Sequence, residues 1–354
     1  MLNNQINVPF SEFSMSGERV ILLGGMGFIG HHLALCLRSL GAEVMVVDHL
    51  QVNNIVKVLS DKDIDDVRRQ LYLKFVMDRF DLLHEKDVQI ANADCRNLTD
   101  LTQIFDEFSP TKAVHLAAIS SAVTANKKPN LAYDIQINSL RNLILLCQGE
   151  RSPCKHICFM SSSTVYGDFV SDSVDETVRP KPKGVYANGK YIGERMVREA
   201  FELYGVDYTI IRPSALYGIR CISGRVSQKF VENALFGVPL RLEGGGAGRL
   251  DFTHIDDLVE GIARSLSLPG GINRTFNITY GNSRPIADLA SIIKNIIPNV
   301  KLMEAPAAPE KPKRGTLVTD RAKEHLGFFP SRSIDTHYTE YCEWYFEQWR
   351  SVTT

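Results

Sequence analysis

The chain lacks the hallmarks of several protein classes. No stretch of its 354 residues approaches the run of about 18 apolar residues that a membrane-spanning helix needs. With 40 basic and 41 acidic residues, it has no surplus of charge to attract nucleic acid or an anionic membrane surface. Residues 1–17 are polar and contain no apolar signal-peptide core. We therefore expect a cytoplasmic protein with no nucleic-acid partner and no membrane partner.

Cysteine pairing is also missing. The seven cysteines are an odd number and form no Cys-x-x-Cys pair, so neither a disulfide framework nor a zinc site is indicated. We interpret them as reduced structural thiols and predict no metal. No internal repeat or low-complexity tract is present, and the composition is that of a globular chain long enough for one large α/β unit or two lobes.

Short apolar segments alternate with amphipathic helical patterns along most of the chain. Strands that are apolar on both faces and separated by helices predict a parallel sheet covered on both sides, that is, a doubly wound Rossmann-type α/β fold. The predicted helices are His31–Leu40, Asn138–Cys147 and Tyr186–Tyr204. The predicted strands lie within residues 19–25, 43–48, 88–94, 113–118, 156–163, 207–214 and 275–279.

The character of the sequence changes after Pro213, where Gly, Arg and Pro become frequent. We interpret these parts as a smaller α/β lobe that closes over the strand ends and binds the substrate. The predicted organisation is an N-terminal extension (1–17), a cofactor-binding Rossmann domain (18–212, with returns near 250–279) and a substrate-binding lobe (213–249 and 280–354).

Residues 50–88 form a long excursion between the second and third predicted strands. Within it, Asp66–Leu83 has helical spacing of its apolar residues. We interpret this segment as an inserted helix of unknown role, and we favour a packed surface helix over a functional lid.

A glycine-rich turn, Gly24–Gly30, follows the first strand and opens a helix. Gly24, Gly27 and Gly30 permit a tight turn, close approach of the backbone to a diphosphate and close helix–strand packing. Free N–H groups at the start of the helix favour the negative charge of a dinucleotide. This context predicts a dinucleotide cofactor.

Acidic and small residues end the next strands. Asp48 at the end of the second strand can accept a hydrogen bond from a ribose 2′-hydroxyl and repels a 2′-phosphate, which favours NAD over NADP. Asp94 is a candidate acceptor for the adenine amino group. Capping of a strand end or loop is the alternative for both acids. Leu116, Ala117 and Ala118 leave room for a cofactor across the strand ends.

Tyr186 and Lys190 are four residues apart near the start of a predicted helix, so their side chains are neighbours. A cation beside a phenol favours the phenolate, which can then act as a base near neutral pH. A serine cluster, Ser161–Ser163, ends the strand about twenty residues earlier.

Together these motifs make the chain resemble the extended short-chain dehydrogenase/reductase family, especially its nucleotide-sugar epimerases. Ile211–Gly218 and Leu250–Asp257 extend the resemblance, which runs from about Arg19 to Gly327. It implies that Tyr186 is the base, that Lys190 holds the nicotinamide ribose and lowers the tyrosine pKa, and that Ser162 hydrogen-bonds the reacting hydroxyl. It further implies a cofactor site that includes Phe28, Ile29, Cys95, Ser161, Pro213, Tyr186 and Lys190.

Ser163 and Thr164 bear on the reaction type. Dehydratases of this family carry an Asp-Glu pair after the catalytic residue, and decarboxylases usually keep a glutamate there. Neither Ser163 nor Thr164 supplies a carboxylate, so the resemblance favours epimerisation, most simply at C4 of a UDP-linked sugar. A reductase, a dehydratase, a decarboxylase and a non-catalytic dinucleotide sensor remain alternatives.

The substrate end of the predicted site rests on hydroxyls and cations. Ser162, Ser163, Thr164 and Tyr186 are expected to contact the sugar. Arg225, Arg249 and Arg314 are candidates for the diphosphate. The chain departs from the family at Leu250, where an arginine is common, and at Ala215, where an asparagine is. The resemblance also implies a homodimer.

Overall fold

The computed structural model describes residues 13–307 and 312–353, and it contains a seven-stranded sheet in which every neighbouring pair is parallel. The strand order across the sheet is β3-β2-β1-β4-β5-β7-β12. This order reverses direction at β1, as in a Rossmann fold. The strands are β1 (Arg19–Leu23), β2 (Glu43–Asp48), β3 (Gln89–Asn92), β4 (Lys112–His115), β5 (His156–Met160), β6 (Ser173–Val174), β7 (Asp207–Arg212), β8 (Leu216–Tyr217), β9 (Leu240–Glu243), β10 (Arg249–Leu250), β11 (Thr253–His254), β12 (Arg274–Asn277), β13 (Arg284–Pro285), β14 (Leu302–Ala305) and β15 (Thr316–Leu317).

Helices cover both faces of this sheet, and the predicted fold class is confirmed. All seven predicted strands are the strands of the sheet, and the predicted helices begin and end within a few residues of the observed ones. The helices are α1 (Phe28–Ser39), α2 (Ile55–Ser60), α3 (Asp66–Glu85), α4 (Leu98–Phe108), α5 (Ala122–Lys127), α6 (Pro129–Tyr133), α7 (Ser139–Cys147), α8 (Gly184–Tyr204), α9 (Val226–Leu235), α10 (Ile255–Ser267), α11 (Ile286–Ile296), α12 (Asp320–Leu326) and α13 (Ile334–Thr353).

The two faces of the sheet bury separate apolar layers. On one face, Val20 and Leu22 of β1 pack with α1 and α10. On the other face, Ile21 and Leu23 pack with α7 and α8. Successive residues of one strand therefore serve opposite layers, which is why the strand is continuously apolar.

A third apolar cluster joins the inserted segment to the end of the chain. Phe75 of α3 is fully buried, and its ring centre lies 4.9 Å from that of Trp344 in α13. Leu71 and Tyr72 of α3 belong to the same cluster, together with parts of α9 and α11. The helical part of 50–88 is thus packed on one face, as predicted. The division into two lobes remains a prediction.

Short strand pairs organise the remainder of the chain. β9 pairs with β14, β10 with β13, β8 with β11, and β6 with β15. The pairing of β6 with β15 brings Arg314 next to the turn that follows β5. No helix in the described part of the chain is both long and apolar enough to cross a membrane.

A buried ion pair ties α8 to the sheet. Arg212 at the end of β7 donates from Nε and Nη2 to the two carboxylate oxygens of Glu194, at 2.8 and 2.7 Å. Both side chains are at most 2 % exposed. Ser161 donates to the same carboxylate at 2.6 Å. The pair therefore fixes the helix that carries Tyr186 and Lys190 against the ends of two strands.

We expect Glu194→Ala to lower the free energy of unfolding by about 3–5 kcal/mol, because it leaves the Arg212 guanidinium buried without its counter-ion. Urea unfolding followed by circular dichroism measures the change. Glu199→Ala removes an exposed carboxylate from the same helix and should change the value by less than about 0.5 kcal/mol. Equal effects of the two substitutions would contradict this assignment.

Candidate active site

The glycine-rich turn lies where β1, β2 and β4 end. The Gly24 N–H donates to Val47 O at 2.8 Å, and Gly24 has a φ of +84°, which favours glycine. A Cβ atom at Gly24 would lie 2.9 Å from the backbone nitrogen of Ala117. A Cβ atom at Gly30 would lie 2.4 Å from the carbonyl oxygen of Gly25. Backbone packing on both sides therefore requires these two glycines.

This turn presents the N-terminus of α1 to a cavity. Gly27 is the extended residue before the helix and makes no side-chain cap, so the first N–H groups are left for a ligand. Helix N-termini with such groups bind anions, and a diphosphate is the expected one. The turn and the cavity in front of it thus fit the diphosphate of a dinucleotide.

Asp48 lies at one end of this cavity. Its two carboxylate oxygens accept from the N–H groups of Met26 at 3.1 Å and of Leu50 at 2.7 Å. Burial raises the pKa of the carboxyl, and these hydrogen bonds act in the opposite direction. A carboxylate has about four acceptor positions, so acceptor capacity remains for a ribose hydroxyl.

Asp94 lines the same cavity but has a strong partner of its own. Arg96 donates from Nε to one carboxylate oxygen at 3.0 Å and from Nη2 to the other at 2.5 Å. Hydrogen bonding to Arg96 lowers the pKa of Asp94. Arg96 also contacts Asp134 at 2.6 Å. The contact of Asp94 with an adenine amino group remains a prediction, and Arg96 is a cavity residue that the sequence reasoning missed.

Ser162, Tyr186 and Lys190 come together at the end of β5. Tyr186 is in the first turn of α8, and the Ser162 side chain lowers the pKa of its phenol. The Lys190 ammonium donates to Met160 O at 2.6 Å and lies 6.0 Å from the centre of the Tyr186 ring. The strand end and one helical turn therefore suffice to assemble the three side chains.

Burial and one arginine outside the trio shift the pKa values of this site. Burial raises the pKa of Tyr186, whereas the Arg225 charge and the Ser162 hydrogen bond lower it. Burial also lowers the pKa of Lys190, to about 7. The lowering of the tyrosine pKa by Lys190, which the resemblance implies, remains a prediction. Arg225 is the cation that acts on the phenol.

Two adjoining cavities contain nearly every predicted site residue. They share Ile29, Leu116, Ala118, Ser120 and Arg225, so they form one continuous cleft. The first cavity holds the predicted cofactor residues Gly24, Gly27, Phe28, Ile29, Gly30, Asp48, Asp94, Cys95, Leu116, Ala117 and Ala118. The second holds Ser161, Ser162, Ser163, Thr164, Tyr186, Lys190, Pro213, Arg225 and Arg314.

The three predicted substrate arginines lie in different places. Arg225 lines both cavities, and its buried Nε has no hydrogen-bond partner among the described residues. Arg314 lines the second cavity and donates to Ser163 O at 2.9 Å. Arg249 does not line the cleft. Its guanidinium donates to the hydroxyl and the carbonyl of Ser283, and Leu250 faces the cavity instead. The structure thus does not place Arg249 at the substrate.

Ser161 also differs from its predicted use. Its hydroxyl is committed to Glu194 in the core, so Ser161 lines the cavity without offering a free donor to a cofactor. Several cavity residues were missed by the sequence reasoning. They are His49, Gln51, Val52, Asn53 and Ser120 in the first cavity, and Ser214, Phe252 and Leu250 in the second. His49, Gln51, Val52 and Asn53 follow β2, Ser120 follows β4 and Ser214 follows β7, and this position was the available signal. No such signal marks Leu250, which lies in β10, or Phe252, which precedes β11.

The chain belongs to the NAD dependent epimerase/dehydratase family, whose model matches residues 20–279. NAD is therefore the cofactor, as predicted, and the glycine turn and Asp48 fit it. UDP-glucuronate 4-epimerase 1 of Arabidopsis thaliana is 26 % identical over 351 residues, covering 93 % of this chain and 77 % of that protein. UDP-glucuronic acid decarboxylase 2 of the same plant is 27 % identical over 329 residues, covering 90 % and 66 %.

Solved structures share the fold across almost the whole chain. The UDP-glucuronic acid 4-epimerase of Bacillus cereus, determined with UDP-glucuronic acid and NAD, has a TM-score of 0.80 at 22 % identity, covering 94 % of this chain and 99 % of that one. The UDP-glucose 4-epimerase of Thermotoga maritima, determined with UDP-glucose, has a TM-score of 0.79 at 23 % identity, covering 93 % and 99 %.

We expect Gly24→Ala to weaken NAD binding by about tenfold or more, because the added methyl group meets the backbone at Ala117 and moves the turn. Isothermal titration with NAD measures the dissociation constant. Gly237→Ala is the matched control, since Gly237 also has a positive φ (+67°) but no atom within 4 Å of its Cβ position. Equal losses of NAD affinity in the two variants would assign the effect to the strain of a positive φ. They would contradict a role for the close contact between residue 24 and the backbone of Ala117.

Proposed function

We propose that this protein is an NAD-dependent nucleotide-sugar epimerase that inverts C4 of a UDP-linked hexose or hexuronic acid through a transient 4-keto sugar. The observation that carries the proposal is the convergence of Ser162, Tyr186 and Lys190 on the wall of the cavity that adjoins the dinucleotide site. The resemblance to 4-epimerases along the whole chain supports it.

The residues of the cleft would divide the work as follows. NAD, when bound, supplies an acceptor and then a donor of hydride for the sugar carbon. Tyr186 takes the proton of the sugar 4-hydroxyl as C4 becomes a ketone. It returns the proton after the keto sugar has turned its opposite face to the hydride donor. Ser162 hydrogen-bonds the same oxygen. Lys190 holds the ribose end of the cofactor beside the tyrosine. The position of these residues on the cleft and the resemblance to the family support each role.

The turn after β5 favours epimerisation over elimination or loss of carbon dioxide. Ser163 and Thr164 line the substrate cavity and carry hydroxyls only. The buried Thr164 hydroxyl has no hydrogen-bond partner within the described part of the chain, so it is left for a polar group of the sugar. Among residues 13–307 and 312–353, no carboxylate lines the substrate cavity, so none of these residues offers a general acid of that type for elimination. The keto sugar is then returned to an alcohol.

Positive charge supports an anionic diphosphate substrate. Arg225 and Arg314 border the cavity, and Arg225 also borders the dinucleotide site. Burial lowers the pKa of Arg314 to about 10, which leaves it charged at neutral pH. A guanidinium pairs well with the oxygens of a phosphate. A UDP-sugar therefore fits the cleft by charge as well as by family.

A homodimer in the cytoplasm completes the proposal. Leu145 of α7 and Ile192 and Leu203 of α8 are exposed, so these two helices have apolar surface for a second copy. The seven cysteines are buried and free, which suits a reducing compartment. Light scattering during gel filtration measures the mass: about twice 39.6 kDa supports the dimer and 39.6 kDa contradicts it.

NMR of the products after incubation with UDP-glucose, UDP-galactose, UDP-glucuronic acid and UDP-galacturonic acid tests the activity. We expect interconversion within one pair without added NAD, because an epimerase regenerates its cofactor. Tyr186→Phe should lower kcat by about 10²–10⁴-fold, since it removes the base. Tyr191→Phe, on the next turn of α8, is the control and should retain activity. Turnover that survives Tyr186→Phe, or a requirement for added NADPH, would refute the mechanism.

The pH dependence gives a second test of the site. Tyr186 acts as a base only when ionised, and the Arg225 charge lowers its pKa, so the acidic side of the kcat/KM profile depends on Arg225. Arg225→Gln should raise the tyrosine pKa and move the acidic limb to higher pH. Arg225→Lys keeps the charge and should move it less. A raised KM with an unshifted profile would mean that Arg225 acts on substrate binding alone.

A further inference from the structure

Arg79 of the inserted segment is a fully buried guanidinium without a carboxylate partner. It is 0 % exposed, and no carboxylate in residues 13–307 or 312–353 lies within ion-pair distance of it. Its donors are directed at backbone carbonyls instead. Nη1 donates to Met26 O at 3.1 Å and to Asn53 O at 3.2 Å, and Nη2 donates to Arg220 O at 2.6 Å.

These three carbonyls belong to three different walls of the cofactor cleft. Met26 is inside the glycine-rich turn Gly24–Gly30. Asn53 is in the loop after β2 and lines the cavity, and its side chain reaches across to Ser120 at 2.8 Å. Arg220 opens the loop that carries Arg225 to the same cavity. One side chain from α3 therefore joins the turn, the loop after β2 and the Arg225 loop.

The backbone conformation of two of these segments requires stabilising contacts. Asn53 and Arg220 both have positive φ, at +50° and +60°, although neither is glycine. Such residues are held in place by their surroundings. The Arg79 fork contacts the carbonyl of each, and a planar guanidinium can satisfy three acceptors in fixed directions where an ammonium cannot.

A second relay reaches the same turn. The Arg220 Nε donates to His31 Nε2 at 3.2 Å, and His31 Nδ1 donates to Gly27 O at 2.9 Å, the direction being set because a carbonyl oxygen only accepts. Burial lowers the pKa of His31, so the ring is neutral and this tautomer is consistent with both contacts. Arg79 thus contacts the backbone of the glycine-rich turn directly, and Arg220 contacts it through the His31 side chain.

Burial lowers the pKa of Arg79 to about 10, which keeps the guanidinium charged at neutral pH. Asp48 raises the pKa of Arg79 through its charge, but the two side chains form no ion pair. Burying a cation without a directly paired carboxylate opposes folding, and a purely structural contact would be served as well by neutral donors. A fixed positive charge directly behind a diphosphate-binding turn is favourable once the dianion is bound.

We propose that Arg79 is a positioning residue that retains the dinucleotide by holding the glycine-rich turn, the loop after β2 and the Arg225 loop together. The inserted helix α3 thereby sets how long NAD stays bound. This inference rests on the proposed function only in that an epimerase keeps its cofactor between turnovers. Its test is made with NAD alone, so it stands or falls independently of the sugar.

The test compares two arginines of α3. Arg79→Met removes the tie at nearly constant length. Arg69→Met is the matched control, because Arg69 also donates to backbone carbonyls, those of Val58, Leu59, Asp61 and Ile64, which do not line the cleft. NAD dissociation from the purified full chain is measured by stopped flow, and urea unfolding of each variant is measured alongside it.

We expect Arg79→Met to release NAD about tenfold faster or more, and Arg69→Met to release it within about twofold of the natural chain. If Arg79→Met does not fold, Arg79→Lys serves instead: it keeps the charge but loses the planar guanidinium, so a smaller acceleration in the same direction is expected. Unchanged NAD release in the Arg79 variant would overturn the proposal. So would acceleration in both variants in proportion to their loss of stability.

Discussion

The close packing of the β1–α1 turn between the ends of β2 and β4 is the constraint on which the rest of the site depends. Gly24 touches the backbone at Ala117 on one side and donates to Val47 on the other. That approach leaves a groove at the carboxyl edge of the sheet, at the point where the strand order reverses. The dinucleotide and the sugar cavities then adjoin, because the strand ends that carry Asp48, Ala118 and Ser162 lie along this same edge.

Rigidity of the reacting groups comes from elsewhere in the core. The Glu194–Arg212 pair locks α8 against β5 and β7, so Tyr186 and Lys190 stand on a fixed helix beside Ser162. The cations are arranged differently on the two sides of the cleft. Arg225 and Arg314 face the cavity, where a diphosphate can meet them, whereas Arg79 and Arg220 act from behind through carbonyls and His31. One set of residues therefore positions the reacting side chains, and another supplies the positive charge of the cleft.

Local sequence patterns predicted the fold and most of the residues that line the cleft. Apolar runs locate the ends of the strands, and residues that follow the ends of parallel strands lie together at the carboxyl edge of the sheet. What sequence could not supply is side-chain direction. Arg249 and Arg225 were equally good candidates in the sequence, but Arg249 hydrogen-bonds Ser283 and Arg225 lines the cavity. Ser161 turns to Glu194 while Ser162 turns to Tyr186. The pKa of Tyr186 depends on burial and on Arg225, which is 39 residues away in the sequence. The role of Arg79 depends on contacts with three segments that are far apart in the chain.

The central claim is that hydride leaves and returns to the same sugar carbon while Tyr186 moves only the proton of its hydroxyl. Incubation of the protein with UDP-glucuronic acid or UDP-glucose carrying deuterium at C4, in ordinary water, tests it most directly. The account predicts a C4-inverted product that keeps the deuterium at C4 in full, as measured by NMR and mass spectrometry. Loss of the deuterium to solvent, or release of carbon dioxide with a pentose product, would contradict it.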